Sequence, residues 1–467
     1  MSRLIVVSNR VPLPNKSGEI PAGGLAVGLH GALQERGGLW MGWSGKTLQT
    51  DKKPEITMLE KGNISYALID LSRQDVDEYY AGFANGMLWP LCHYRIDLID
   101  YARQDMSGYF RVNRLFAEQI APLIEADDII WVHDYHLIPL ASELRQKGIS
   151  NPIGFFFHIP WPPPDVFFTL PVYEVLLRGL STFDVVGFQT DFDVENFKQC
   201  LLRESVGEDL KNGYFHAYHQ RFFVGAFPIG INIQDFSYTH HLQKKSIRQR
   251  QMEKSLGDQD LIIGVDRLDY SKGILHRMEA YERFIKAYPG SRGRVSFLQI
   301  TPKSRNGVVE FDKMQTHIAT IVGRINGEYG RIDWTPIRYI NQSTPRETLA
   351  GLYRMARVGL VTPLRDGMNM VAKEYVAAQN PENPGVLILS RFAGAARELK
   401  NALLVNPYDR DGVGDAIARA LSMSLEERLT RWKPMMADIT KNNITQWCTD
   451  FLTVLKESAK MRHRSSL

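Results

Sequence analysis

Short apolar runs alternate with amphipathic segments along the first half of the chain. The runs RLIVVSN, DIIWVHD and DVVGFQT each precede a segment with helical periodicity, such as GLAVGLHGALQERG or DFDVENFKQCLLRESV, and IGFFFHI forms a fourth run. Continuous runs of β-branched and aromatic residues between helices are typical of parallel strands covered on both faces. The pattern therefore predicts an α/β unit with a parallel sheet.

The same pattern restarts after about residue 230, across a polar segment at 234–259 that is rich in Gln, Lys and His. Its apolar runs are DLIIGVD, RVSFLQI, IRYI, VGLVTP, GVLILS and ALLVNP. We expect two doubly wound α/β domains that face each other across a cleft at the carboxyl ends of their strands. We predict a first domain at residues 1–230, a second at 231–455 and a tail at 456–467. The last helix of the second domain can pack back on the first domain.

Composition limits the class of protein and its partners. The 467 residues are 44% hydrophobic and 23% charged, as in ordinary globular proteins. The net charge is +4 and no long block of one sign occurs, so no nucleic-acid partner is expected. The start MSRLIVVSNR is too short in apolar residues for a signal peptide, and no apolar stretch approaches the roughly 18 residues of a membrane span. Three cysteines without metal-ligand spacing fit a reducing compartment, so a cytoplasmic protein without a membrane partner is expected.

A cationic pair follows the run LIIGVD in the second domain. Arg267 and Lys272 lie in RLDYSKG, between this predicted strand and a helix. An Arg fork, a compact Lys charge and the partial positive charge of a helix start together suit a diphosphate. The alternative is that Arg267 pairs with Asp269 or Asp266 on the surface.

The stretch VTPLRDGMNMVAKEYVAAQ predicts a second strand-to-helix junction in this domain. Gly367 allows close backbone approach, and the amides of residues 369–371 lie near a helix start, which favours an anion. The helical rise separates Asp366 from Glu374, so the two carboxylates are expected to hold different parts of one ligand rather than act as a hydrolytic pair. The alternatives are a helix cap for Asp366 and a surface ion pair for Glu374.

Polar residues also follow the apolar runs of the first domain. Arg10 comes after RLIVVSN, and Asp134 and His158 come after two further runs. One such residue at a strand end is more often structural, but two on neighbouring strands favour a site. Gly23 and Gly24 in PAGGLAVG are adjacent, so they do not match the G-x-G-x-x-G dinucleotide fingerprint. They indicate either a loop that closes over a ligand or a small-residue packing face.

No pattern indicates a metal or a cofactor. Three D-x-D triplets begin at Asp75, Asp191 and Asp409, each where a helix is predicted to open, which favours capping of amides over metal binding. A Walker loop, H-E-x-x-H, G-x-S-x-G and Cys/His zinc spacing are all missing from the sequence. We therefore predict no metal site and no cofactor.

Longer motifs in order along the chain closely resemble those of the trehalose-6-phosphate synthases, the retaining glycosyltransferases of family 20. The matching segments run from about residue 3 to 455 and include VVSNR, AGGLAVGL, GGLWMGWSG, WVHDYHLIPLASELR, GFFFHIPWPPPDVF, VDRLDYSKG and TPLRDGMNMVAKEYVAAQ. The resemblance implies a GT-B fold of two Rossmann-like domains. It also implies transfer of glucose from a nucleotide sugar, usually UDP-glucose, to glucose 6-phosphate, giving α,α-trehalose 6-phosphate.

The resemblance assigns the donor to the second domain. It implies that Arg267, Lys272 and the amides of Met370 and Val371 hold the diphosphate, with Ala372 and Lys373 in the same stretch. Glu374 would bind the ribose, Asp366 the glucose hydroxyls, and His158 would lie beside the sugar. The implied catalytic residues are Arg267, Lys272, His158 and Asp366.

The resemblance assigns the acceptor to the first domain. It implies that Arg10, Tyr80 and Arg305 hold the acceptor phosphate, that Asp134 binds an acceptor hydroxyl and that Trp89 shapes the site. The loop at Gly23 and Gly24 would close over donor and acceptor. Relatives also suggest a homodimer or homotetramer.

The implied mechanism retains the donor configuration without a protein nucleophile and without a metal, since protein cations stabilise the leaving diphosphate. Two alternatives stay open. One is a transferase of the same fold with another sugar-phosphate or pseudo-sugar acceptor, and the loop VPLPNKSGEIP is where that difference would lie. The other is a non-catalytic subunit that senses sugar phosphates.

Overall fold

The chain forms two compact units. The computed structural model describes residues 2–14, 24–49, 53–237, 245–303 and 309–465. The first unit comprises Met1–Ile229 with Thr445–Leu467, and the second comprises Gly230–Ile444. The second unit therefore ends before residue 455, because the last helix groups with the first unit. The assignment of acceptor and donor to these units stays a prediction.

A mainly parallel sheet forms the centre of the first unit. Its strands are β1 (Leu4–Arg10), β2 (Gly38–Thr47), β3 (Ile56–Lys61), β4 (Ile64–Leu71), β5 (Ile129–His133), β6 (Ile153–Phe156), β7 (Val185–Phe188), β8 (Gly207–Lys211), β9 (Tyr214–Ala217) and β10 (Gln220–Ala226). They lie in the order β3-β4-β2-β1-β5-β6-β7-β10-β9-β8. The neighbours from β4 to β10 pair in parallel, whereas β3, β8 and β9 pair antiparallel at the edges.

Helices connect these strands on the two faces of the sheet. They are α1 (Gly24–Arg36), α2 (Arg73–Asp75), α3 (Trp89–Cys92), α4 (Arg103–Ile120), α5 (Leu140–Gln146), α6 (Pro164–Phe167), α7 (Tyr173–Ser181) and α8 (Asp191–Arg203). A π-helix, Val76–Leu88, joins α2 to α3. The hydroxyls of Ser72 and Thr190, rather than an Asp, cap α2 and α8. The sequence pattern predicted neither the π-helix nor these hydroxyl caps.

The second unit has a parallel sheet of β11 (Asp260–Val265), β12 (Val295–Ile300), β13 (Ile337–Ile340), β14 (Val358–Val361), β15 (Val386–Ser390) and β16 (Leu403–Val405). Its order is β13-β12-β11-β14-β15-β16. Its helices are α9 (Ile247–Leu256), α10 (Ile274–Ala287), α11 (Val309–Tyr329), α12 (Arg346–Met355), α13 (Met370–Ala378), α14 (Arg410–Ser422) and α15 (Leu425–Lys441). At the start of α14, Asp409 accepts a hydrogen bond from the Gly412 amide, so one of the three D-x-D triplets does supply a cap.

The last helix, α16 (Ile444–Ser465), packs on the sheet of the first unit. The Phe451 ring lies so close to β6 and β7 that a Cβ at Gly154 or Gly187 would lie 2.7 or 2.8 Å from it. Glycine at these two positions therefore permits the close approach of the helix. Within the described residues, no helix combines the length and apolar character needed to cross a membrane.

The predicted α/β class is confirmed: each unit has a doubly wound, mainly parallel sheet of Rossmann-like type. Each apolar run named above forms a strand. The antiparallel edge strands β3 and β8 were not predicted, because most of their residues are exposed and they lack an apolar run.

Strand order fixes where ligands are expected. In each parallel sheet the chain reverses its direction of winding once, between β1 and β5 in the first unit and between β11 and β14 in the second. Doubly wound sheets bind ligands outside the carboxyl ends of the strands at such switch points. The residues that follow these four strands are therefore the candidates for binding.

Candidate active site

The loop after β11 carries the predicted cationic pair of the second unit. Asp269 accepts a hydrogen bond from the Ser271 amide at 3.0 Å, and this contact shapes the short 3₁₀ turn that contains Lys272. Gly273 follows with φ of +64°, and a Cβ there would lie 2.5 Å from the Thr362 carbonyl oxygen. Only glycine allows this loop to lie so close to the end of β14.

The Arg277 side chain ties the strand ends together beneath this loop. Its guanidinium is 1% exposed and donates to Asp266 at 2.6 Å, to Gln299 at 3.1 Å and to Thr362 at 2.9 Å. It also donates to the Lys272 carbonyl oxygen at 3.3 Å. Arg277 therefore fixes Lys272 relative to β11, β12 and β14. The sequence interpretation missed this residue, although a fully buried arginine requires such partners.

Arg267 lies on the exposed side of the same loop. Its side chain is 42% exposed, and its Nη2 atom is 3.8 Å from Asp269. The predicted alternative of an ion pair between Arg267 and Asp269 is therefore a long contact. The other alternative partner, Asp266, forms an ion pair with Arg277. Arg267 is accessible to an incoming anion.

The carboxylate of Asp366 contacts the Lys272 ammonium at the end of β14. The same carboxylate oxygen accepts a hydrogen bond from the Asn369 side-chain amide at 3.0 Å. Asp366 is therefore not the N-cap of α13, which was the alternative for this residue. That position belongs to Asn369, which has φ of 71°. A positive φ is uncommon for a residue other than glycine, although asparagine adopts it more readily than most.

The start of α13 offers backbone amides. Within the described part of the chain, the side chain of Asn369 makes no capping hydrogen bond to the amides that follow it, and its Oδ1 atom is buried without a partner. The amides of Met370 and Val371 therefore lie at a helix N-terminus whose partial positive charge the Asn369 side chain does not cap. The sequence interpretation placed the Asn369 amide near this helix start, but it did not predict the contact of the Asn369 side chain with Asp366.

Glu374 lies one turn into α13 and is partly buried rather than in a surface ion pair. The Tyr353 hydroxyl donates a hydrogen bond to its carboxylate at 3.4 Å. Burial raises the pKa of Glu374 to about 7, although Arg346 and the Tyr353 hydroxyl act in the opposite direction. The Arg346 guanidinium is itself held by Asp235 at 2.9 Å.

Lys373 and Ala372 are placed differently from the other predicted donor residues. The Lys373 side chain is 1% exposed and forms a 2.6 Å ion pair with Glu398. Ala372 is fully buried. If either residue contacts a ligand, it does so through its backbone.

In the first unit, Asp134 follows β5 with φ of 74°. Its carboxylate accepts a hydrogen bond from the His158 amide at 3.2 Å. The His158 ring in turn lies 3.0 Å, nitrogen to nitrogen, from the His133 ring. Burial lowers the pKa of His158 to about 3 and that of His133 well below its usual value. The structure thus brings Asp134 and His158 together, and burial favours the neutral form of both imidazoles.

An aromatic cluster holds the other predicted acceptor residues. The Arg10 guanidinium lies 5.9 Å from the Trp43 ring centroid, and Trp43 lies 5.5 Å from Tyr80. Tyr80 stacks on His136 at 6.0 Å with 12° between the rings. Trp43 and His136 therefore fix the direction of Arg10 and Tyr80. The sequence interpretation missed them, because buried aromatic residues are usually core.

Trp89 joins this cluster through Tyr135. The two ring centroids are 5.7 Å apart, and Trp89 is 3% exposed. The Tyr135 hydroxyl donates to Asn85 at 2.9 Å, and Asn85 donates to the Tyr80 carbonyl oxygen at 2.7 Å. Arg10, Tyr80, Trp89 and Asp134 are thus placed in one region of the first unit.

Three predicted positions lie at or beyond the limits of the described chain. Gly23 and Arg305 lie outside the described residues, and Gly24 is the first residue of α1. Among the described residues, no group of three or more His, Cys, Asp or Glu side chains is arranged to hold a metal ion.

The two doubly wound units, and the solved structures that match both of them, place the protein among the GT-B glycosyltransferases. The chain belongs to glycosyltransferase family 20, whose sequence profile matches residues 2–457. It is 58% identical over 460 residues to the trehalose-6-phosphate synthase of Sinorhizobium fredii, covering 98% of this chain and 99% of the relative. This match confirms the resemblance that the motifs indicate.

Two solved structures are similar over nearly the whole chain. A synthase from Burkholderia xenovorans in complex with glucose-6-phosphate has a TM-score of 0.94 and 46% identity, covering 97% of this chain and 100% of that chain. A structure from Escherichia coli bound with UDP-2-fluoro glucose has a TM-score of 0.92 and 47% identity, covering 97% and 99%. The similarity therefore covers both units.

Proposed function

We propose that the protein transfers glucose from UDP-glucose to glucose 6-phosphate and releases UDP and α,α-trehalose 6-phosphate. The contact between Lys272 and Asp366 carries the proposal. A cation suits a diphosphate, a carboxylate suits sugar hydroxyls, and a nucleotide sugar presents these two groups side by side. Similar proteins bound to UDP-2-fluoro glucose and to glucose-6-phosphate support this pair of substrates.

The donor is assigned to the second unit. Arg267 and Lys272, together with the amides of Met370 and Val371, bind the diphosphate, and Glu374 accepts hydrogen bonds from the ribose. Asp366 binds hydroxyls of the transferred glucose. Burial of Lys272 and Asp366, which are 11% and 14% exposed, strengthens both contacts because little water competes.

The acceptor is assigned to the first unit. Arg10 and Tyr80 of the first unit, with Arg305 from the sequence of the second, bind the phosphate of glucose 6-phosphate, and Asp134 accepts a hydrogen bond from an acceptor hydroxyl. Trp89 shapes the sugar site, and the loop at Gly23 and Gly24 closes over the ligands. The proximity of Arg10 and Tyr80 through Trp43 supports a shared phosphate site.

The transfer retains the α configuration and forms no covalent intermediate. Asp366 is held by Lys272 and Asn369, which makes its carboxylate a poor nucleophile. Catalysis then comes from positioning and from stabilisation of the departing diphosphate by Arg267, Lys272 and the start of α13. Intact-protein mass spectrometry with the donor alone tests this step. A glucosyl adduct on the protein would contradict it.

A donor and acceptor screen tests the overall activity. The purified protein is incubated with UDP-, GDP- or ADP-glucose and with glucose 6-phosphate, and nucleotide release is measured. We expect release of UDP that depends on the acceptor and yields a non-reducing disaccharide phosphate. A wider panel of sugar-phosphate and pseudo-sugar acceptors separates the proposed acceptor from its alternatives. Absence of transfer from every donor would leave only the sensing role.

Location and assembly stay sequence-based predictions. The three cysteines are buried thiols, which supports a reducing, cytoplasmic compartment. A homodimer or homotetramer is expected from the family resemblance. Light scattering with size-exclusion chromatography measures the assembly directly.

A further inference from the structure

Both ring nitrogens of His158 face protein groups rather than solvent. His158 follows β6, and its Nε2 atom lies 3.0 Å from Nδ1 of His133 at the end of the neighbouring strand β5. On the other side, its Nδ1 atom lies 3.4 Å from the side-chain nitrogen of Gln189, which follows β7. Three adjacent strands of the first unit thus contribute one residue each to a chain of hydrogen bonds.

The orientation of Gln189 fixes where the protons lie. Its side-chain oxygen accepts a hydrogen bond from the Ile229 amide at 3.0 Å, so its NH₂ group must point at His158. An NH₂ group only donates, and Nδ1 of His158 therefore accepts. The proton of neutral His158 then lies on Nε2, where it is donated to Nδ1 of His133. The proton of His133 must accordingly lie on its own Nε2.

We propose that Gln189 and His133 are positioning residues that hold the His158 imidazole in one neutral tautomer, with both nitrogens directed into the protein. His158 then borders the transferred sugar without giving or taking a proton. The position of the sugar beside His158 rests on the proposed function. The tautomer of His158 does not, because it depends only on contacts within the protein. A His158 that transfers no proton agrees with the proposed reaction, in which catalysis comes from stabilisation of the leaving diphosphate.

The surroundings of His133 argue against a purely stabilising role. His133 is 1% exposed, and its ring lies 4.7 Å from Trp131 and 6.3 Å from Trp447, centroid to centroid. Among the described residues, nothing accepts a hydrogen bond from its Nε2 atom. A buried N–H group without a partner destabilises the folded state. A phenylalanine would fill this aromatic site at lower cost, so the histidine is explained by what it does to His158.

Nuclear magnetic resonance of the substrate-free protein tests the tautomer. Histidine is labelled with ¹⁵N, and the His158 signals are assigned by their loss in His158→Asn. We expect Nδ1 of His158 to show the shift of an unprotonated nitrogen and Nε2 that of a protonated one throughout pH 6 to 8. A proton on Nδ1, or a doubly protonated ring, overturns the proposal whatever the enzyme's activity.

Two variants test the effect on the reaction. His133→Phe removes the nitrogen that accepts the hydrogen bond from Nε2 of His158 and keeps an aromatic ring at this position. Gln189→Glu replaces the side-chain NH₂ donor with a carboxylate acceptor, which favours a proton on Nδ1 of His158. We expect kcat to fall about tenfold to a hundredfold in both, with KM for both substrates changed far less. His133→Phe should keep or raise the melting temperature, and Gln189→Glu should move the His158 proton to Nδ1 in the ¹⁵N spectrum.

A matched control is Tyr281→Phe in the second unit. It keeps a fully buried ring and removes one buried hydrogen bond, from the Tyr281 hydroxyl to the Val295 carbonyl oxygen at 3.1 Å. This variant should lose stability but keep kcat and KM. If His133→Phe and Gln189→Glu keep wild-type kcat while the wild-type protein is active, the positioning role is wrong and the proposed function stands. If the wild-type protein itself transfers no glucose, the proposed function fails, and the spectrum alone decides the tautomer.

Discussion

The Lys272 ammonium contacts the Asp366 carboxylate, although 94 residues separate them in sequence. Lys272 follows β11 and Asp366 follows β14, the two strands that flank the switch point of the second sheet. In the proposed function, Lys272 binds the diphosphate and Asp366 binds the glucose. We infer that the bond between glucose and diphosphate lies where these two side chains meet.

Removal of the cation should affect turnover more than folding. In Lys272→Ala the leaving diphosphate loses a charge-assisted contact, and we expect kcat to fall about a hundredfold or more. The folded state loses less, because Asp366 keeps its hydrogen bond from Asn369. Steady-state kinetics and thermal unfolding measure the two effects. Lys286→Ala, on the exposed side of α10, is the control, and wild-type turnover in Lys272→Ala would refute the leaving-group role.

Glu374→Gln should separate stability from donor binding. The folded-state pKa of about 7 lies above the ordinary value of 4.5, so the unfolded chain loses this proton at lower pH than the folded one. The free energy of unfolding of the wild-type protein should therefore fall relative to that of the variant as pH rises from 4.5 to 7. This pH-dependent change in the relative free energy of unfolding begins near pH 4.5 and is complete above about pH 7.

The same substitution should change the binding of UDP in the opposite sense. Only the ionised carboxylate accepts hydrogen bonds from both ribose hydroxyls, so the advantage of the wild-type protein over Glu374→Gln should grow as pH rises through about 7. Calorimetric titration with UDP at pH 6 and pH 8 measures this. Equal UDP affinities of the wild-type protein and Glu374→Gln at pH 8 would show that Glu374 does not bind the ribose.

Arg10→Ala should weaken use of the acceptor alone. Loss of a charge-assisted hydrogen bond to phosphate is expected to raise KM for glucose 6-phosphate about tenfold to a hundredfold, with little change in UDP affinity. Arg73→Ala, which removes an arginine with a 79% exposed side chain on the same unit, is the control. An unchanged acceptor KM, or a matching loss of UDP affinity, would show that Arg10 does not bind the acceptor phosphate.

Arg277 should be essential for the stability of the donor site. Arg277→Met leaves the Asp266 carboxylate, which is 5% exposed, without its cation, and we expect a loss of about 3–5 kcal/mol in unfolding free energy. The double variant with Asp266→Asn should recover part of this loss, because the unpaired charge is gone. Denaturant unfolding measures both. A loss below about 1 kcal/mol would show that the network is not a stabilising one.

Sequence periodicity identified all six strands of the second sheet and β1, β5, β6 and β7 of the first, because strands buried on both faces are continuous apolar runs, but it did not identify the parallel strands β2, β4 and β10. It placed Arg267, Lys272 and Asp366 after strand ends, since an apolar run stops where the strand stops, and it placed Glu374 in the helix that follows. It could not find Arg277, Trp43 or His136, whose roles depend on neighbours far away in sequence. The contact between Lys272 and Asp366 was equally out of reach, because strand order rather than spacing brings the two together.

Strained backbone was also hidden from the sequence. Asp134 and Asn369 both adopt positive φ after a strand at a switch point, with φ of 74° and 71°. Nothing in WVHDYH or RDGMNM requires this conformation, which the surrounding hydrogen bonds impose. Positive φ alone does not identify a ligand site, because six other non-glycine residues of the described chain, among them Tyr94 and Ser205, also have it.

A single reaction followed by ¹³C magnetic resonance tests the proposed transfer most directly. UDP-glucose labelled at C1 is mixed with glucose 6-phosphate and the purified protein. We predict that the labelled carbon moves from the donor to an α,α-1,1 linkage in a disaccharide phosphate, at the rate of UDP release. A β linkage, labelled free glucose as the product, or an unchanged donor signal would contradict the account.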